Sequence, residues 1–211
     1  MRPSFFVAPA LFLTAALAAC GSSSSSGSSA SSSSSSTSST SSNSSSSSSA
    51  ESSGSAAASP DPASVVLTTG ALPSGDGTWT LHSDGQLNNI AATRARSWTS
   101  SNAGQALEID VAVDGSQQVA QADWGTWQSK IADKVSGGQP STCPTGAPSN
   151  CIELNGTWAT QTNETAAVLA WQQSNVLVAV VLIDSKGTAS KSYAEDVSSR
   201  EGDLIGTVVG G

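Results

Sequence analysis

The sequence predicts an α+β domain in which a mostly antiparallel sheet of about six to eight strands packs with two helices, behind a disordered serine-rich tether. Three observations carry that prediction. Leu107, Ile109, Val111 and Val113 alternate with Glu108, Asp110 and Ala112, the two-residue period of a strand. Ala120, Trp124, Trp127, Ile131 and Val135 recur every three or four residues, which makes one apolar stripe on a helix. The remaining apolar runs are joined by short turns rather than by helical crossovers, the order expected of an antiparallel α+β fold.

Composition sets the bounds. Of 211 residues, 37% are hydrophobic and only 11% charged, but these averages hide unlike segments. All three Phe fall within the first twelve residues and all six Trp after residue 75, with an almost pure serine stretch between them. Only Arg2 and Glu51 are charged before residue 61, so residues 61–211 carry 7 bases against 15 acids. Such an acidic domain lacks the basic footprint that nucleic-acid binding needs. No apolar run reaches the ~20 residues of a membrane span. The length after the serine tract suits one domain, 61–211, with a core of its own.

Within that domain, residues 65–67 and 79–81 are short candidate strands separated by the turn-rich 73–77. Residues 94–99 and 107–113 flank a polar turn and form a predicted hairpin, the second strand having one face in the core and one wet. The first helix follows, with Ser116 as its N-cap, Lys130 and Lys134 near its carboxyl end, and Gly137-Gly138 as its stop. Gly125 inside it costs about 1 kcal/mol against alanine. A meander comes next. Residues 152–154 and 157–159 flank Asn155-Gly156, a dipeptide suited to a tight hairpin. Residues 166–171 and 176–183 flank the four-residue turn 172–175, and the second of these runs is apolar on both faces, as a central, doubly covered strand should be. Tyr193, Val197, Leu204 and Val208 then line one side of a closing helix capped by Ser190 and weakened at Gly202. The overall shape loosely resembles the PsbP-like and protein-kinase sensor domains carried by some lipoproteins of high-GC Gram-positive bacteria; no motif accompanies the resemblance, and no site residue is transferred through it.

The amino terminus has the tripartite form of a secretory signal: a short cationic start at Arg2, an apolar run over 5–19, then polar chain. Leu17-Ala18-Ala19-Cys20 resembles the lipobox of bacterial lipoproteins. The resemblance implies cleavage before Cys20, so that 1–19 is the signal peptide, with diacylglyceryl attachment to the Cys20 thiol and acylation of the new amino terminus. Several acyl chains, at ~0.8 kcal/mol per buried CH2, give stable anchoring where one would not. Residues 20–60 are then the tether. Their serine-rich composition buries too little apolar surface to offset the entropy of ordering, and a coil of about 40 residues spans on the order of 35 Å. The expected location is extracytoplasmic, on a bacterial membrane.

With Cys20 lipidated, Cys143 and Cys151 are the remaining thiols, and an oxidising compartment favours a disulfide between them. A redox pair would have the closer Cys-x-x-Cys spacing, and one histidine cannot complete a zinc site; no metal or cofactor is expected. His82 is the single imidazole, and no Gly-x-Ser-x-Gly elbow accompanies it. Glu108 and Asp110 stand on one strand face, about 7 Å apart, a spacing at which paired carboxylates can serve glycoside hydrolysis. Asp76, Asp84 and Asp114 each fit turns. Trp79, Trp98, Trp158 and Trp171 are candidate ligand contacts, because flat indoles stack on sugar rings; Trp124 and Trp127 belong to the helix stripe and to the core. The leading expectation is a lipid-anchored envelope protein with a non-catalytic binding domain for a wall glycan, lipid, peptide or envelope protein. The alternatives are a cell-envelope hydrolase using Glu108 and Asp110, and a passive spacer or assembly component.

Overall fold

The computed structural model describes residues 59–211 except 76, 91, 103, 145, 149, 160–163, 188 and 211. The lipobox with Cys20, the serine tether and Asp76 lie outside the described residues. The elements run β1 (Trp79–Gly85), β2 (Thr93–Ser100), β3 (Gln105–Val113), α1 (Gln117–Ala132), β4 (Val135–Ser141), β5 (Cys151–Trp158), β6 (Thr165–Gln173), β7 (Val176–Asp184) and α2 (Lys191–Val209). The seven strands form one sheet in the order β1-β2-β3-β7-β6-β5-β4, antiparallel at every pairing. The α+β prediction with two principal helices is met. Among the described residues no helix is long and apolar enough to cross a membrane.

The order follows from which strands must be covered twice. β7 is buried along nearly its whole length and takes the middle of the sheet, between β3 and β6. α1 carries the chain to the far edge, from which β4 to β7 return as a meander. Alternation then sorts side chains into two cores. Leu107, Ile109, Val111, Leu169, Trp171 and Val180 meet Tyr193, Val197 and Ile205 of α2 on one face. Val168, Ala170, Leu177 and Ala179 meet Ala120, Trp127 and Ile131 of α1 on the other.

Several expectations need correction. Residues 65–67 are not a strand: Asp61 caps a short 3-10 helix, Pro62–Val65, by accepting from Ala63 N–H. The chain then lies extended, its backbone groups taken by side chains rather than by a neighbouring strand. The face of β3 expected to be wet is covered, with Asp110 and Ala112 buried, because β3 lies next to the central strand. The first helix stops at Ala132, since Val135 pairs with Trp158 and opens β4; the apolar stripe continued in the sequence only because Val135 enters the same core from a strand. Gly137 and Gly138 therefore form an irregularity in an edge strand, not a helix stop. Asn155-Gly156 makes no hairpin, because β5 runs straight through it.

The turn after β6 is also tighter than expected, two residues with Ser174 at φ 55°. At Gly156 the neighbouring edge strand comes so close that a Cβ would lie 2.7 Å from the Ser136 carbonyl oxygen and 2.8 Å from the Gly138 nitrogen. Both are backbone atoms that cannot swing aside. Gly156→Ala should thus cost about 1–3 kcal/mol, read as a lower midpoint in denaturant melts; an unchanged midpoint would show that β4 yields freely.

Candidate functional site

A cleft of about 600 Å3 lies between α2 and the β4–β5 loop, within the ~300–1,000 Å3 typical of ligand sites. Its outer wall is the loop, through Pro144, Ala147 and Pro148. Cys151, Leu169 and Trp171 form the apolar part of its floor, with Gln173 beside them. α2 supplies the other wall through Glu195, Asp196, Ser198, Ser199, Gly202 and Asp203. Small residues keep the helix wall low. Gln173 ties wall to floor: its side chain accepts from the Trp171 indole at 3.4 Å and donates to the Gly202 carbonyl at 3.1 Å.

The expected disulfide is present: Cys143 and Cys151 are joined across a sequence separation of 8 residues. It closes the loop that forms the outer wall, and two prolines stiffen that loop further. Replacing both cysteines by serine should cost about 2.5 kcal/mol in the chain-entropy view and loosen the wall; thermal melts with and without reductant measure it, and equal melting temperatures would overturn the expectation.

Two sets of polar contacts around buried carboxyls hold α2 in place. At the helix start, Lys191 Nζ lies 2.7 Å from Glu153 Oε1, and Asn155 donates to the same oxygen at 2.9 Å. Burial pulls the Glu153 carboxyl up, but the Lys191 and Asn155 bonds outweigh it and leave the carboxyl below its ordinary range. Further along, Glu201 is fully buried, and its Oε2 accepts from Leu67 N–H at 2.9 Å, while Oε1 has no hydrogen-bond partner among the described residues. Burial pushes the Glu201 carboxyl up to about 8, against the opposing pull of Leu67 N–H and Arg96. Arg96, reaching from β2, donates to the carbonyls of Val66 and Leu67 at 2.8 and 2.6 Å and to Asp84 at 3.0 Å. The segment following the tether is thus gripped from both sides, by Glu201 and by Arg96. Asp84 also receives Arg94 at 2.6 Å, so it is an ion-pair residue of β1 rather than the turn residue expected.

The other residues singled out in the sequence do not converge. Trp98, Trp158, Trp171 and Trp79 are only 0, 3, 3 and 7% exposed. The first two offer no ring face to a ligand, because in a domain without Phe the indoles fill the core volume. Trp79 stacks on Tyr193 with ring centres 5.6 Å apart. Trp171 alone of these four lines the cleft. Asp110 is fully buried beside Glu108. Burial, and then the neighbouring Glu108 charge and hydrogen bond, push its carboxyl well up. Neither carboxyl lines the cleft, and a sugar cannot reach Asp110. His82 is exposed at the irregularity of β1, on a different element from any cleft-lining residue. Asp114 is raised to about 6 by burial and by Asp123, and among the described residues no three potential metal ligands gather.

Sequence reasoning missed Glu153, Arg96, Glu201 and the acids of the cleft wall. The signal for Glu201 was present: it lies four residues after Val197 and four before Ile205, on the buried stripe. No family model and no curated protein matches the chain. Among solved structures, the chain is similar to the extracellular domain of PknH from Mycobacterium tuberculosis, at 15% identity and a TM-score of 0.40, over 70% of this chain and 75% of that one.

Proposed function

We propose that this is a lipid-anchored, extracytoplasmic protein whose domain binds a ligand without chemically transforming it. The observation that carries the binding part is the cleft: a walled hollow of ligand size, with an apolar floor and one side pinned by a disulfide. Its chemistry is that of a receptor. The lining holds the carboxylates of Glu195, Asp196 and Asp203 but no imidazole and no Lys or Arg, which supports recognition of a cationic ligand over a Ser–His or Cys–His type of nucleophilic reaction. The hydrolase alternative loses its support in the burial of Asp110. Anchoring rests on the lipobox resemblance at Cys20, and the serine tether would let the cleft search space on the order of 35 Å from the lipid surface.

The full-length chain tests both halves. Mass spectrometry of native protein should find the diacylglyceryl adduct on Cys20 and no residues 1–19; an unmodified thiol would remove the anchor. Wall-glycan fragments, lipids and peptides screened by hydrogen exchange should protect amides at the cleft without being consumed. Turnover abolished by Glu108→Gln or His82→Ala would replace the binding module with an enzyme.

A further inference from the structure

We propose that the cleft takes a basic, extended peptide segment of a partner protein, with two cationic side chains set on the α2 wall and an apolar side chain on the floor. This rests on the reading of the cleft as a ligand site and adds the chemistry of what enters it. Two independent features point the same way. The first is shape with apolar character: Leu169, the disulfide and the prolines of the loop offer a hydrophobic bed that an ion alone would not use.

The second is charge complementarity. The α2 wall carries Glu195, Asp196 and Asp203, and no Lys or Arg lines the cleft. Glu195 has Lys191 at 3.6 Å, whereas Asp196 and Asp203 are exposed and have no ion pair among the described residues. The bases nearest in sequence are already engaged, Lys191 by Glu153 and Arg200 by the Ala71 carbonyl. Low-dielectric walls concentrate this one-signed field, and a chain of net charge −8 repels anionic glycans, lipid headgroups and nucleic acids from the same site.

Spacing narrows the partner further. Asp196 and Asp203 are seven residues apart on one helix, about 10 Å along its axis. Basic residues three apart in a polyproline-II segment point to the same side and are separated by about the same distance, at ~3.1 Å per residue.

The test uses the full-length chain in detergent and the capped hexapeptide Ala-Lys-Leu-Ala-Lys-Ala, with a matched peptide carrying glutamine for both lysines and with chitotetraose as a neutral glycan. The lysine peptide should protect cleft amides in hydrogen exchange. Its affinity should fall at least tenfold in the exposed double variant Asp196→Asn/Asp203→Asn and fall with rising salt. Equal binding of the glutamine peptide, or unchanged binding to the double variant, overturns the proposal. Protection by chitotetraose in place of the lysine peptide overturns it too, while leaving the cleft as a ligand site. No protection by any probe overturns both.

Discussion

Glu201→Gln is expected to stabilise the domain by about 2–4 kcal/mol at pH 7.5 and to remove most of its sensitivity to mild alkali. The carboxyl titrates near 8 in the folded chain against an ordinary 4.5, so between these values the folded state holds a proton that the unfolded state releases. Stability from this group is complete below about pH 4.5 and is lost as pH rises through 8. The amide keeps an acceptor for Leu67 N–H and never ionises. Chemical melts at pH 5 and pH 8 should show wild type losing stability across the interval and the variant losing far less. A residual slope of the same sign will come from Asp110, which burial also raises. Below the interval the sign reverses, because Glu153 and Asp84 are lowered by their cationic partners and lose those contributions on protonation. A variant whose slope matches that of wild type would show that Glu201 is solvated in solution.

Arg96→Ala should have the opposite effect and be larger than an ordinary surface change, a loss of about 3–5 kcal/mol. Arg96 is only 8% exposed, and its removal leaves the Val66 and Leu67 carbonyls and one oxygen of Asp84 without their donor. Lysine would not repair this, because one ammonium lacks the planar fork that reaches three acceptors in fixed directions. The loss should be local first. Residues 62–72 join the serine tether to the domain, and Arg96 is one jaw of the grip on them. Hydrogen exchange at Leu67 and cleavage by a nonspecific protease near residue 68 should accelerate before the sheet melts. Unchanged protection of Leu67 would show that Glu201 and the core hold the segment without Arg96. Because the two side chains grip the same stretch, the double variant with Glu201→Gln should depart from additivity.

These two residues also show where sequence reading stops. Period-two alternation placed β3, the doubly apolar run placed β7 at the centre, and the cap serines placed the starts of both helices. Each of those signals is local, written within a few residues of the element it specifies. The errors share a different cause. Val135 satisfied the helical period and yet belongs to a strand, because an apolar side chain can reach one core from either geometry. Asn155-Gly156 satisfied the hairpin rule, but the glycine serves the close approach of β4. Of the four tryptophans read as ligand contacts, Trp171 lines the cleft and Trp79, Trp98 and Trp158 do not, because composition does not say which way a side chain faces.

The sequence by itself determined the class of fold, the strand at the sheet's centre and the disulfide pair. Local periodicity, composition and cysteine count suffice for these. Tertiary structure alone decided the cleft and the buried charges. The cleft walls come from residues as far apart as Pro144 and Asp203, and the grip on Leu67 joins groups 134 positions apart in the chain. Burial that raises one carboxyl and cations that lower another depend on neighbours brought together only by folding, and no pattern of spacing along the chain records them.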